Sequence, residues 1–145
     1  MFHNTRLQFP RDIIAAGLAE PTHYHYVQQE STVWQKSLYD TAGGLNTTFK
    51  FAGDWDLWRR FAKRSELIHL QRNIGAFCLR PGQLSADISG YDDEINATIP
   101  GNVRAHRMAK IAKNEDALRV ILADLNEQGR WCLHTKASQE AKPSH

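Results

Sequence analysis

Cysteine is scarce in this sequence. Only Cys78 and Cys132 occur in 145 residues, and they stand far apart. That spacing excludes a disulfide framework or a zinc knuckle, and it suits a reducing cytoplasm. Long apolar runs are missing too: nothing approaches the roughly 18 residues of a membrane-spanning helix. Residues 1–12 lack the charged-then-apolar run of a signal peptide, so no leader is expected. An excess of one charge is also lacking. Eighteen Lys and Arg face 16 Asp and Glu, a balance of +2, which argues against a strongly basic nucleic-acid binder or an acidic tail. The sequence holds no internal repeat, no glycine-rich phosphate loop and no Ser–His–Asp ordering above chance. What it does have is 41% hydrophobic and 10% aromatic residues. A chain this long buries roughly 68–70% of its unfolded surface, enough for one core. One domain of mixed α/β or α+β class is the expectation.

Along the chain, Pro10, Ile13, Ile14 and Leu18 predict a short helix that Pro21 ends. Residues 23–30 alternate with a period of two and carry tyrosines, which predicts a strand. A helix over 31–44 follows from Ser31 as cap, Trp34, Leu38 and Ala42 every four residues, and Gly43-Gly44 as stop. Residues 45–53 read as a loop, and a second helix spans about 54–64. Strands at 66–71 and 74–80, turning at Arg72-Asn73, predict an antiparallel hairpin. Residues 83–101 are polar and weakly patterned. Helices are expected over about 102–128, with a break at Asn114-Glu115-Asp116. Residues 1–135 would form one unit, and 136–145 a disordered tail.

The chemistry concentrates in Gly53-Asp54-Trp55-Asp56-Leu57-Trp58. Wound at about 100° per residue, Trp55, Leu57, Trp58, Phe61 and Ala62 share one stripe with Asp54 in its middle. Asp56, Arg59, Arg60, Lys63 and Arg64 take the other, wet side. Asp56 precedes Arg60 by four residues, the spacing of a surface ion pair of a few tenths of a kcal/mol. Asp54 has no cation at helical spacing. Two roles fit it: an N-cap for the first-turn amides, or a general base held among aromatics beside a cleft.

Residues 28–85 resemble the C-terminal half of the catalytic domain of family 2 glycosyltransferases, inverting enzymes of the GT-A fold. The likeness is carried by the Glu30-Ser31-Thr32 segment, the aromatic and basic residues after it, the Gly43-Gly44-Leu45 turn, Gly53-Asp54-Trp55-Asp56-Leu57-Trp58, and the Pro81-Gly82 turn. It implies a partial nucleotide-diphospho-sugar transferase domain with short antiparallel strands and a helical C-terminal tail. It places the family's catalytic carboxylate on Asp54, with Gly53 where an acidic residue often stands. It also puts Glu30, Ser31 and Trp34 at the acceptor pocket, against the plainer roles of helix capping and core packing. Relatives commonly carry Leu-His-Pro-Gly where this chain has Leu79-Arg80-Pro81-Gly82. Arg80 cannot ligate a metal; it binds diphosphate oxygens, marks a lost site, or is simply solvated.

The nucleotide-binding half, and the Asp-x-Asp pair that would hold Mg²⁺ or Mn²⁺, have no counterpart upstream of residue 28. No cofactor is therefore assigned to this chain itself. The implied reaction is sugar transfer, with inversion, from a nucleoside-diphosphate sugar to a carbohydrate or lipid-linked acceptor, inactive without the donor half. The alternative is a non-catalytic carbohydrate-binding or protein-interaction module that partners a separate donor-binding chain. Self-association through the C-terminal helices is a further expectation. The basic face of Arg104, Arg107, Lys110 and Lys113 leaves room for peripheral contact with a membrane. His23 and His25 alternate as metal ligands would, without a third partner. Asp92-Asp93-Glu94 looks like a chelator but reads better as a solvated loop.

Overall fold

The structure is a computed structural model that describes residues 8–20, 23, 25–72, 75 and 88–138. Among these residues five helices, α1 (Arg11–Ala15), α2 (Lys36–Thr41), α3 (Gly53–Ala62), α4 (Ile88–Thr98) and α5 (Gly101–Ile111), accompany strands β1 (Ile68–Leu70), β2 (Arg119–Leu125) and β3 (Trp131–Ala137). The strands form one sheet in the order β1-β2-β3, with β1 parallel and β3 antiparallel to β2. The fold class is therefore mixed α/β.

The core forms around α3. Its Leu57, Trp58 and Phe61 pack with Ile13, Ile14 and Leu18 of the α1 region and Met108 of α5. One turn earlier, Trp55 joins Ala52, Ile95 and Ile99 in a second cluster against α4. The apolar stripe read from the sequence is thus buried along its whole length, shared between two neighbours. Gly17 makes the close approach possible. It turns the chain out of α1 at φ +78°, and a Cβ there would lie 2.7 Å from Ile99 Cδ1 and 3.0 Å from Trp55 Cζ2. Only glycine meets both demands; Gly17 rather than Pro21 closes the first helix.

Several expectations are corrected. Residues 25–28 form no strand, and Gln29–Ser31 makes a 3₁₀ turn instead. The next helix begins at Lys36 behind an extended Gln35, so Ser31 caps nothing and Trp34 lies ahead of the helix. The β-branched pair Thr32-Val33 suits that extended approach. Strand β1 pairs in parallel with β2. The strand expected at 74–80, and Arg80 with it, lies outside the described residues apart from Gly75. The weakly patterned 83–101 segment contains α4.

The largest correction concerns the C-terminal third. The break at Asn114 is real, and its side chain accepts a bond from the Asp116 amide at 3.1 Å. Beyond it lies a β-hairpin rather than a helix. Val120, Leu122 and Ala123 are buried, while the Asn126–Arg130 turn closes through Asn126 Oδ1, which accepts from Gln128 N and Arg130 N. Gly129, at φ +71°, completes that turn. Strand β3 runs through Ala137, so an ordered strand occupies the start of the expected tail.

Candidate functional site

Asp54 sits in the first turn of α3, but it is not the cap. The capping position belongs to Ala52, which has no side-chain bond to give. The N-terminal amides ahead of the helix are instead gathered by Glu94, which reaches across from α4. Its carboxylate accepts from Lys50 N (2.7 Å), Phe51 N (2.9 Å) and Ala52 N (2.8 Å). Desolvation raises the Glu94 pKa, but the amide bonds from Ala52, Lys50 and Phe51 outweigh it and hold the carboxyl below its ordinary value. The acidic stretch read as a solvated loop thus supplies the clamp on α3.

With that role taken, Asp54 is free for another. Its Oδ1 accepts from the Trp55 amide at 2.7 Å and from the Tyr91 hydroxyl at 3.0 Å. Among the described residues, no hydrogen bond from another residue ends on Oδ2. Desolvation is the largest influence and pushes the carboxyl above its ordinary value. The bonds from Trp55 and Tyr91 pull the other way, and the charge of Glu30 adds to the rise. Tyr91 in turn is held above the ordinary tyrosine range by burial, then by the charge and hydrogen bond of Asp54. The ring of Tyr26 stands edge-on to Tyr91 with centroids 4.9 Å apart. Burial, with the charges of Asp92, Glu20 and Asp54, pushes Tyr26 up to about 12.

The other candidates divide. Glu30 and Ser31 are exposed on the 3₁₀ turn, which presses against Gly75: a Cβ there would fall 2.4 Å from the Glu30 carbonyl oxygen and 2.8 Å from Ser31 Oγ. Trp34 is 41% exposed, its ring edge-on to Trp58 at 5.4 Å and Phe61 at 5.8 Å. It is half anchor, half open surface, packed on one side and exposed on the other. Trp34 thus packs on α3 through Trp58 and Phe61, and Glu30 acts on Asp54 electrostatically.

Asp56 departs from its expected wet, surface position. It is only 3% exposed, and it receives Arg59 Nη2 and Arg60 Nε at 2.8 Å each. The loop after α2 covers this side, and Arg60 Nη1 also donates to the Ala42 carbonyl at 2.5 Å. An open depression of about 500 Å³ lies here, lined by Gly43, Asn46, Thr47 and the Asp56–arginine group. Because Asp56 is committed to two guanidinium groups, Asp54-Trp55-Asp56 does not offer a divalent cation a pair of ligands. Among the described residues no group of three His, Cys, Asp or Glu side chains is placed to hold a metal. His23 faces Glu20 instead, with Nδ1 and Oε1 2.5 Å apart. Arg104, expected on a solvated basic face, is buried. It lies 3.4 Å from Glu20 Oε1 and donates to the Ile99 carbonyl at 2.6 Å.

Tyr91, Tyr26 and Glu94 were not legible as site residues. Tyr26 shows only in a tyrosine alternation that forms no strand, and nothing in local spacing links Asp54 to a partner 37 residues away. No helix among the described residues is long and apolar enough to cross a membrane. No protein-family model, curated protein or solved structure matches this chain.

Proposed function

We propose that this chain forms the acceptor-and-base wall of an inverting glycosyltransferase of GT-A type, whose donor-binding half lies outside these residues. The observation that carries the reading is Asp54: a partly buried carboxylate that no described cation pairs, fixed through Oδ1 and unengaged at Oδ2 by any other described residue. Oδ2 takes the proton of an acceptor hydroxyl as that oxygen bonds to the anomeric carbon. The bond from that carbon to the nucleoside diphosphate breaks on the opposite face, and the diphosphate leaves with the electron pair. The exposed part of Trp34 offers a flat apolar surface for a sugar ring, and Glu30 and Ser31 offer hydrogen-bonding groups beside it. Arg80 is proposed at the leaving diphosphate on the resemblance alone. The Mg²⁺ or Mn²⁺ of a complete domain has no ligand set in the described part of this chain, and no step here runs through it.

The reading is tested in two parts. Calorimetry of the isolated chain with UDP- and GDP-sugars, with and without Mn²⁺, should show no tight binding; micromolar, metal-dependent affinity would overturn the missing donor half. Once the chain is combined with a donor-binding half, Asp54→Asn should cut transfer by at least about 10²-fold, the lower end for a lost general base, with donor binding intact. Turnover near the unmodified rate sinks the base assignment. A second reading, a non-catalytic carbohydrate-binding or protein-interaction module, draws on the hairpin, where Leu125, Trp131 and Leu133 stay exposed. Self-association could use that hairpin surface or the exposed face of α5, where Val103 is open. Carbohydrate binding that survives Asp54→Asn, with no transfer under any combination, would favour it.

A further inference from the structure

We infer that Tyr91 is the positioning residue for Asp54, turning one carboxylate oxygen inward so that the other faces the acceptor hydroxyl. This rests on the base reading above but is argued from separate geometry. A carboxylate at the start of a helix can rotate about its side-chain torsions, and a base that rotates loses the alignment on which proton transfer depends. Here Oδ1 receives two donors from different directions, the Trp55 amide of its own helix and the Tyr91 hydroxyl of α4. Both donors are neutral, so they orient the carboxylate without the charge neutralisation that an arginine would bring. The contrast lies two residues away, where Asp56 is locked by two guanidinium groups and both its oxygens are occupied.

Tyr91 is itself held. Its ring meets Tyr26 edge-on. One turn further along α4, Glu94 ties the helix to the amides of residues 50–52. Helix α4 therefore grips the start of α3 twice, once through backbone and once through the reactive group. Among the described residues the Asp54 carboxylate faces Tyr91 from α4 and the charge of Glu30 from the 3₁₀ turn, with Tyr26 and, around it, Asp92 and Glu20 nearby. Among the described residues no cation is paired with Asp54, and the Tyr91 hydroxyl is the donor that α4 contributes to the anion.

The test uses this chain alone. The Trp55 amide bonds to Asp54 Oδ1, so its proton and nitrogen shifts in a two-dimensional NMR titration report when Asp54 ionises. In Tyr91→Phe, which removes one oxygen and keeps the ring, the Trp55 titration midpoint should move to higher pH, because a bond that favours the anion is gone. In Glu94→Gln the Trp55 midpoint should move far less, separating a loosened helix start from a lost donor. An unchanged midpoint in a folded Tyr91→Phe protein overturns the inference. Should that variant not fold, the unmodified protein decides. Its Tyr91 phenol should stay protonated through pH 10, the ordinary tyrosine value, and a Tyr91 that ionises there is not bonded to the carboxylate. In the combined enzyme Tyr91→Phe should lower kcat about tenfold and raise the acidic limb of the pH profile, leaving KM for donor unchanged. A moved midpoint with full turnover in Asp54→Asn would fail the base reading alone; a fixed midpoint with inactive Asp54→Asn would fail the positioning inference alone.

Discussion

The two sides of α3 treat identical carboxylates in opposite ways. On one side Asp56 is almost wholly removed from water and matched by Arg59 and Arg60, with Arg60 also tied to the end of α2. On the other, Asp54 is partly buried and among the described residues meets only neutral donors, with a further acid, Glu30, bearing on it. An ion pair with both oxygens occupied fastens a helix to its neighbours and leaves nothing to react. A carboxylate desolvated without a counter-charge is held at an energetic disadvantage, the condition in which a proton acceptor is reactive. The difference teaches that two carboxylates two residues apart on one helix can be held in opposite electrostatic settings, one paired and one not.

The largest expected effect breaks the structural side. Asp56→Ala leaves two partly buried guanidinium groups without their acceptor, and unpairing a buried charge costs about 3–5 kcal/mol. Arg59 and Arg60 retain some solvent access, so the lower end is expected. Urea denaturation followed by tryptophan fluorescence checks this. A loss below about 1 kcal/mol would mean the pair behaves as an exposed one, and the contrast with Asp54 would vanish.

How much of this contrast could be read from the sequence follows from the range of the forces involved. The stripe of Trp55, Leu57, Trp58 and Phe61 is a local periodicity, and it packs as that periodicity demands. The break at Asn114 is equally local, since a short polar side chain bonds an amide two residues on. Asp56 was misplaced because the wheel assigns sides of a helix but cannot tell that the 42–47 loop folds over the polar one. The hairpin was missed because Leu118, Ile121, Leu122 and Leu125 fit a helical spacing, while the pairing that makes them a strand comes from partners Ile68 to Leu70 and Trp131 to Ala137. Tyr91 and Glu94 act on residues about 40 positions away, at a distance no local pattern reports.

An intermediate effect is expected at the clamp. Glu94→Gln keeps the size of the side chain but trades a charged acceptor of three amide bonds for a neutral amide. Glu94 is only half-buried, so the loss should be about 1 kcal/mol rather than the value of three fully buried bonds. Its sign with pH is definite. The folded Glu94 carboxyl titrates below its ordinary 4.5. Its contribution is therefore present above 4.5 and lost as pH falls through the folded value. The unmodified protein and Glu94→Gln should differ most near pH 7 and converge in acid; a gap that stays constant with pH would assign the difference to packing instead.

The smallest expected change in stability has the opposite sign, and it separates the two aspartates most sharply. Burial raises the folded Asp54 carboxyl above its ordinary 3.8. A group with that shift favours the folded state below 3.8 and loses the advantage as pH rises through the folded value. At pH 7 the ionised Asp54 is consequently a burden on the fold. Asn cannot ionise, and its side-chain oxygen still accepts from Trp55 and Tyr91, so Asp54→Asn should be slightly more stable than the unmodified protein at pH 7. That gain should shrink toward zero as the pH is lowered past 3.8. Urea midpoints at pH 7 and pH 3.5 make the comparison. A loss of stability at neutral pH would show Asp54 to be a structural acid like its neighbour Asp56. A gain that coincides with lost transfer in the combined enzyme would identify a residue kept for chemistry at the expense of the fold, a trade that Asp56, with both oxygens paired, does not make.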